Sequence, residues 1–294
     1  MAKLTLVGLG PGSIDLVTPA AREAIESADV VAGYKAYVDL IASLIDQQDV
    51  IQSGMTREWE RAAAAIDAAA EGKSVVLVCS GDSGMYAMAP LVLELLQQRN
   101  PELPVVELAI IPGITAANAC ASLVGAPLGH DSCTISLSDL LTPWEVITKR
   151  IEAAAMADFA ITFYNPRSKK RKSHIEIAQQ ILLQHRDPKT PVAVVNAAYR
   201  DDQRVMLSTL DSFTSLEFGM NAAVLVGNSN SYYFGDWIVT PRGYKNKYQL
   251  ETGAVLSGQK RGHALKTSGA PQVETEIQID AEFQEQTMTE GDRV

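Results

Sequence analysis

Short apolar runs recur along the first part of the chain, and each ends in glycine, serine or another small polar residue. These runs lie at residues 3–7, 30–33, 49–51, 75–79 and 105–111. Segments with a helical spacing of apolar residues separate them, and the alanine-rich stretch 57–71 is the clearest. Buried strands that alternate with helices are typical of a parallel sheet covered on both faces. This half therefore predicts an α/β domain with a mainly parallel sheet.

The second half of the chain has more strand-like runs, and helices separate only some of them. The runs lie at residues 134–137, 159–164, 192–195, 222–226 and 237–239. Such an order predicts a mixed sheet. Glycine and proline cluster at residues 125–129, where we expect a domain boundary. We therefore predict an N-terminal α/β domain over residues 1–124 and a C-terminal α/β domain over residues 125–248.

Two predicted helices begin with a Thr-Pro pair, which suits an N-cap followed by the first helical position. Thr18 and Pro19 begin one of them. Thr142 and Pro143 begin the other, and Glu145 follows at the spacing of a capping box. We expect Thr18 and Thr142 to cap these helices through their side chains.

The pattern changes again at about residue 249, after which serine, threonine, glycine and glutamine dominate and little periodic apolar character remains. Such a segment cannot bury enough apolar surface to hold a fixed conformation. We predict a disordered acidic tail over residues 249–294, with a docking or regulatory segment as the alternative.

Composition narrows the classes of function. The chain has 25 Lys and Arg against 35 Asp and Glu, a net charge of −10, which argues against nucleic acid as a partner. Cys79, Cys120 and Cys133 form no C-x-x-C pair and the four histidines are scattered, so no metal site is expected. No signal peptide and no apolar stretch long enough for a membrane are visible, so we expect a cytoplasmic protein that does not bind membranes.

Several predicted strands end in a loop of small residues that carries one or two polar groups. These loops contain Gly10-Pro11-Gly12, Gly81-Asp82, Gly113-Ile114-Thr115, Asn165 and Ala198. Because the carboxyl ends of parallel strands share one edge of a sheet, the loops are candidates for the walls of a single ligand cleft. Asp82 would supply a fixed anionic acceptor there, although an ordinary turn with a solvated Asp gives the same local pattern.

The first of these loops does not fit a nicotinamide dinucleotide site. After Gly8 and Gly10, the third position of the fingerprint is Ser13, and Pro11 lies where the helix should begin. The next strand ends at Gly33 rather than at an acidic residue that would hold a ribose. An NAD-dependent oxidoreductase therefore remains only a remote alternative.

The loops together resemble the tetrapyrrole (uroporphyrinogen/precorrin) methylase family over about residues 3–248. The shared motifs are VGLGPG at residues 7–12, SGDSGMY at 80–86 and PGITAA at 112–117. Further motifs are similar to the branch that methylates C17 of precorrin-3B and contracts the macrocycle in cobalamin (vitamin B12) synthesis. They lie at residues 128–133, 136–145, 163–168 and 240–244.

The resemblance implies two α/β domains with S-adenosyl-L-methionine (SAM) in the cleft between them and S-adenosylhomocysteine (SAH) as product. The implied cofactor contacts are Pro11, Gly81, Asp82, Ser83, Met85, Thr115, Ala116, Tyr164, Asn165 and Ala198. Gly10 and Gly12 would line the substrate trough. The chain departs from the family at two positions, with Ser13 where Asp is frequent and Asn165 where many members carry Met.

A precorrin substrate carries many carboxylates, so an acidic protein that binds it needs local positive charge. Arginine suits bidentate pairing with a carboxylate. The candidates next to strand-end loops are Arg167, Lys169, Arg200 and Arg242, and a solvated basic helix start is the alternative for the lysine. Ring contraction also needs proton movement, for which Asp139 and Tyr164 are candidates; a capping Asp and a packed Tyr are equally compatible with the sequence.

The leading hypothesis is thus a SAM-dependent C-methyltransferase that acts on C17 of precorrin-3B to give precorrin-4. The same reaction on cobalt-factor III, the cobalt-containing intermediate of the anaerobic route, is a close alternative because the sequence has no motif that separates the two. A non-catalytic protein that carries a tetrapyrrole is a more remote alternative. The resemblance also suggests a homodimer.

Overall fold

The computed structural model describes residues 3–99, 106–168 and 171–266. Contacts divide the chain into a large unit, Met1–Arg242, and a small unit, Gly243–Val294. The large unit holds two five-stranded sheets and a three-stranded sheet within the described residues. No helix in these described ranges is both long and apolar enough to cross a membrane.

The first sheet is parallel throughout, as the sequence predicts. Its strands are β1 (Lys3–Gly8), β2 (Val30–Tyr34), β3 (Asp49–Ser53), β4 (Ser74–Cys79) and β5 (Glu107–Ile111), in the spatial order β3-β2-β4-β1-β5. The helices around it are α1 (Pro19–Glu26), α2 (Lys35–Leu40), α3 (Glu58–Ala70), α4 (Met88–Arg99) and α5 (Ala116–Ser122). Every strand pair in this sheet runs in the same direction, so the loops that follow the strands share one edge.

Apolar side chains on both faces fix the first sheet. Leu6 and Leu77 lie on the face that packs against Ile66 of α3 and Val92 of α4. On the other face, α1 and α2 pack against the alternate positions of the strands. Because side chains alternate between faces along a strand, a strand buried on both sides reads as a continuous apolar run.

The second sheet is mixed. Its strands are β7 (Ser132–Ser136), β8 (Ala160–Tyr164), β9 (Pro191–Asn196), β10 (Arg204–Thr209) and β11 (Ala222–Val226), in the order β10-β9-β11-β8-β7. Only β7 and β8 run parallel. Helices α6 (Trp144–Met156) and α7 (His174–Leu183) pack on one face around the fully buried Phe163. The mixed sheet confirms the predicted fold class. Strand β10 was not predicted, because all its residues are exposed or only partly buried.

The third sheet is small and was not predicted. It joins β6 (Gly125–Ala126), β12 (Tyr232–Phe234) and β13 (Trp237–Val239), with β6 parallel to β13. The segment at residue 125 therefore pairs with a strand from the end of the large unit. A domain boundary there stays a prediction.

The small unit begins at Gly243, where a 3₁₀ turn spans Tyr244–Asn246. Residues 249–266, the first part of the predicted tail, contain hydrogen-bonded turns and an antiparallel bridge between Tyr248 and Val255. The remainder of that prediction, residues 267–294, lies outside the described residues.

One of the two predicted helix caps was wrong. The Oγ1 atom of Thr18 accepts the N–H of Ala21 at 3.2 Å, as expected for an N-cap. Helix α6 instead begins at Trp144 with Pro143 in the cap position and no side-chain cap hydrogen bond. The carbonyl of Pro143 accepts the first helical N–H groups. A Thr-Pro pair fits either register, because the proline φ suits both an extended cap and a first helical residue.

Three strand-end loops of the first sheet touch through their backbones. Leu9 donates its N–H to the carbonyl of Cys79 at 2.8 Å, and Gly10 and Gly81 exchange two hydrogen bonds of 3.0 and 2.7 Å. A Cβ added to Gly113 would meet the carbonyl oxygen of Gly81 and would lie 2.6 Å from the carbonyl carbon and oxygen of Gly8. Only glycine permits this approach of three chains.

We expect Gly113→Ala to lower the free energy of unfolding by about 1–3 kcal/mol, because the added methyl group meets rigid backbone atoms that cannot rotate away. Denaturant unfolding measures this. Gly219→Ala is the matched control, since a Cβ there meets no atom within 4 Å. Equal stability of the two variants would contradict the close approach.

Candidate active site

Asp82 joins two of these strand-end loops. Its Oδ1 accepts the N–H of Gly84 at 2.8 Å, and its Oδ2 accepts the N–H of Gly113 at 3.0 Å. The first contact shapes the loop after β4, and the second ties it to the loop after β5. The carboxylate is half-buried, and each oxygen keeps lone-pair capacity for a further donor.

The two neighbours of Asp82 in the predicted cofactor set differ in accessibility. Ser83 is fully buried, and its hydroxyl has no hydrogen-bond partner among the described residues. Met85 leaves 40% of its surface exposed. The side chain of Met85 is therefore accessible to a ligand, whereas the hydroxyl of Ser83 is buried in this conformation.

The end of β8 meets the start of α5. Thr115 caps α5, with its Oγ1 accepting the N–H of Asn118 at 3.3 Å. The hydroxyl of Tyr164 accepts the N–H of Ala117, the next residue after Ala116, at 2.7 Å. Burial raises the pKa of Tyr164, and hydrogen bonds from Ala117 and Thr115 oppose this shift only in part. The phenol thus keeps its proton at neutral pH and can donate it in a hydrogen bond.

Tyr86, to which sequence analysis assigned no role, makes a second link between the two sheets. Its hydroxyl donates to the carbonyl of Thr134 at 3.0 Å and accepts the N–H of Ser136 at 3.3 Å. Its ring lies 5.6 Å from the ring of Tyr164, centroid to centroid. Tyr86 is the last residue of the motif at residues 80–86, and this motif is the sequence feature that could have identified it as a site residue.

Several residues without glycine's freedom have positive φ around these loops. Tyr86 has φ 52°, Asn165 53°, Ala197 46° and Tyr199 58°. Left-handed backbone at such residues costs free energy and tends to occur at functional sites. The Nδ2 group of Asn165 donates to Ser136 Oγ at 3.0 Å, which holds this turn.

Ala198, the last member of the predicted cofactor set, lies between two of these strained residues. It is nearly buried and packs in a cluster with Ala119, Cys120 and Tyr164. The structure thus brings residues from β4, α5, β8 and the loop after β9 into one neighbourhood.

Arg200 holds the loop after β1. Its Nε donates to the carbonyl of Pro11 at 2.9 Å, and one terminal nitrogen donates to Ser80 Oγ at 3.1 Å. The side chain also lies against Gly12, where an added Cβ would be 2.5 Å from the Cγ of Arg200. The residues Gly10, Pro11 and Gly12 are therefore fixed to the second sheet by this arginine.

The other predicted substrate cations are placed differently. Arg167 donates to the carbonyls of Leu216 and Thr214 and lies 4.3 Å above the ring of Phe218. Arg242 is exposed. Lys169 lies outside the described residues.

Asp139 belongs to a separate polar cluster. Its carboxylate lies 3.7 Å from Nε of Arg171 and 3.6 Å from Nε2 of His174, and 34% of its side chain is exposed. The imidazole of His174 stacks on Trp144 with ring centroids 4.0 Å apart. Sequence reasoning missed His174, because its partners are distant in sequence.

Leu137 connects that cluster to Tyr164 through the backbone. Its N–H donates to the carbonyl of Tyr164 at 2.9 Å, and its carbonyl accepts a guanidinium nitrogen of Arg171 at 2.8 Å. The two candidate catalytic residues, Asp139 and Tyr164, are thus neighbours along the strand ends but do not share a side-chain hydrogen bond within the described residues.

The site contains no activated thiol. Burial raises the pKa of Cys79 to about 11 and that of Cys120 to about 12, so both stay protonated. Across the ranges that the structure describes, no three His, Cys, Asp or Glu side chains are grouped as metal ligands.

Comparison with known proteins gives a consistent set of similarities. The family model "Tetrapyrrole (Corrin/Porphyrin) Methylases" matches residues 3–214. The chain is 51% identical over 249 residues to a cobalt-factor III methyltransferase of Priestia megaterium, covering 84% of this chain but 46% of that protein. The chain therefore spans about half the length of this relative.

Two further relatives match over almost their whole length. A probable cobalt-factor III C(17)-methyltransferase of Salmonella typhimurium is 47% identical over 241 residues, 82% of this chain and 99% of the relative. A precorrin-3B C(17)-methyltransferase of Sinorhizobium sp is 39% identical over 251 residues, 84% and 98% of the two chains. The crystal structure of the methyltransferase CobJ has a TM-score of 0.76 at 39% identity, covering 81% of this chain and 99% of that one.

Proposed function

The chain belongs to the tetrapyrrole methylase family, and from this premise we propose that it transfers a methyl group from SAM to C17 of a corrin precursor, with ring contraction, in cobalamin biosynthesis. The observation that carries the proposal is the meeting of strand ends from both sheets around Asp82, Ala116 and Tyr164. The match over 99% of the Salmonella relative supports the same reaction.

The residues around this meeting point fit SAM. Gly81 carries no side chain, and an added Cβ there would lie 3.7 Å or more from other atoms, so a ligand can approach its main chain. The half-buried carboxylate of Asp82 suits hydroxyl or ammonium donors, and exposed Met85 offers an apolar contact. We assign the cofactor contacts to Pro11, Gly81, Asp82, Met85, Thr115, Ala116, Tyr164, Asn165 and Ala198, and we expect Ser83 to act through its backbone.

SAM supplies an electrophilic methyl group on a sulfonium. The work of the protein is then to hold donor and acceptor carbon in line and to exclude water, because no covalent enzyme intermediate is needed. Tyr86, Tyr164 and Arg200 keep the loops that would hold both ligands in a fixed relation. The proposed substrate contacts are Gly10, Gly12, Arg167, Lys169, Arg200 and Arg242.

Ring contraction requires a proton to move on the substrate. Tyr164 keeps its proton and can donate a hydrogen bond to a developing negative oxygen. Asp139 offers a carboxylate between Arg171 and His174, where a released proton could be accepted. We propose these roles for Tyr164 and Asp139. We also propose a homodimeric assembly and a cytoplasmic location.

The identities favour the cobalt-containing substrate among the two that sequence analysis left open. The relatives at 51% and 47% carry the name of cobalt-factor III, and the relative at 39% carries that of precorrin-3B. We therefore propose cobalt-factor III as the preferred substrate and metal-free precorrin-3B as the second candidate.

We expect Asp82→Ala to weaken SAH binding about tenfold or more, because it removes a charged acceptor from the cofactor loop. The same change should lower the free energy of unfolding by about 1–3 kcal/mol, since Gly84 and Gly113 lose their acceptor. Calorimetry with SAH and denaturant unfolding measure the two effects.

Asp187→Ala is the matched control, because Asp187 accepts the N–H of Lys189 at 2.7 Å in a turn of the same kind away from these loops. Its SAH affinity should equal that of the wild type. Unchanged SAH affinity in Asp82→Ala would remove Asp82 from the cofactor site.

We expect transfer of labelled methyl from SAM to both macrocycles, with a higher kcat/KM for cobalt-factor III than for precorrin-3B. Single-turnover and steady-state assays with each substrate under anaerobic conditions measure this. A higher kcat/KM for the metal-free substrate would reverse the assignment, and label that stays on SAM with both would contradict the proposed methyl transfer.

A further inference from the structure

Arg61 is a buried cation that lacks a carboxylate partner. It lies in the first turn of α3 with 5% of its surface exposed. One terminal nitrogen donates to Ser53 Oγ at 2.6 Å and approaches the carbonyl of Gly54 at 3.4 Å. The other faces only the sulfur of Met88, a weak acceptor, at 3.9 Å. Within the described ranges the hydrogen bonds of Arg61 go to Ser53, Gly54 and Met88, and none goes to an Asp or Glu.

A second buried arginine, Arg186, has hydrogen-bond partners that are typical of a structural role. Arg186 is also 5% exposed, but its terminal nitrogens donate to the carbonyls of Gly227, Phe159 and Ala154. Backbone carbonyls thus accept from both of its terminal nitrogens, although its Nε has no hydrogen-bond partner among the described residues. Burying a charge is costly unless it is paired or fully hydrogen-bonded, and Arg61 meets this requirement on one side only.

Arg61 lies at the edge of the first sheet where the strand-end loops meet. Ser53 is the last residue of β3, and Met88 begins α4 directly after the loop that contains Asp82. The charge of Arg61 also reaches Cys79, the last residue of β4. There is open space beside this point, because a Cβ added to Gly54 meets no atom within 4 Å.

We propose that Arg61 binds a carboxylate of the tetrapyrrole substrate through the terminal nitrogen that faces only the sulfur of Met88. This inference rests on the proposed function. Arg167 and Arg200, which are also proposed as substrate contacts, each donate through two nitrogens to protein oxygens. Arg61 donates to protein oxygens through one terminal nitrogen only, so its second terminal nitrogen can donate to a carboxylate.

The experiment compares Arg61→Met and Arg61→Lys with Arg57→Met. Arg57 precedes α3, is 62% exposed and pairs with Glu60 at 3.6 Å, so its replacement removes the same charge from the protein surface. For each variant we measure SAH binding by calorimetry, thermal unfolding, and KM and kcat for methyl transfer to cobalt-factor III and precorrin-3B.

We expect Arg61→Met to raise KM about 10- to 100-fold with SAH affinity within about twofold of wild type, because a charged hydrogen bond to the substrate is lost. Arg61→Lys should raise KM less, about 3- to 10-fold, since an ammonium keeps the charge but not the planar pair of donors. Arg57→Met should match the wild type in all measurements.

A folded Arg61→Lys variant with wild-type KM would overturn the proposal, and so would an Arg61→Met variant that loses SAH binding in proportion to KM. If Arg61→Met does not fold, Arg61→Lys alone decides. Failure of the proposed function looks different, because the wild type itself would then neither bind SAH nor transfer methyl.

Discussion

Three backbones meet at the carboxyl edge of the first sheet, where Gly8 and Gly113 leave no room for side chains and Gly81 has a positive φ of 70°. The carboxylate of Asp82 secures this contact by accepting an N–H from each of two loops. The surrounding features depend on this crossing, since it sets the direction in which the loop after β4 leaves the sheet. A methyltransferase that works by positioning needs such a fixed frame, because preorganised geometry supplies most of the rate.

The second sheet is held to this frame by three side chains. Tyr86 reaches from the loop after β4 to Thr134 and Ser136 of β7. Tyr164 reaches from β8 to the first turn of α5, and Arg200 reaches from the loop after β9 to Pro11. In each contact a polar side chain binds a backbone group of another element. Tyr164 and Arg200, two site residues suggested by the sequence, therefore also join the two sheets.

The fold was largely readable from the sequence. Continuous apolar runs such as residues 75–79 identify strands buried on both faces, and their alternation with helices identifies the parallel sheet. Strand β10 and the three-stranded sheet were missed, because short or half-exposed strands depend on their partners rather than on a local pattern. The cap of α6 was predicted one residue too early, because the local sequence fits either position.

The candidate site was readable only in part. Glycine-rich strand ends carry a local signal, so the loops at Gly10, Gly81 and Gly113 could be found. The hydrogen-bond partners of Arg167 and Arg200 could not be predicted, because they include carbonyl groups that are distant in sequence. The burial of Arg61 could not be predicted either, because a charged residue at the start of a helix is usually expected to be exposed to solvent.

We propose that the loops around Asp82, Ala116 and Tyr164 hold the methyl donor. A crystal structure of the protein with SAH tests it most directly. We expect SAH to lie against residues 81–85 and 115–116 on one side and residues 164–165 and 198 on the other. SAH bound elsewhere on the protein, with these loops free of ligand, would contradict it.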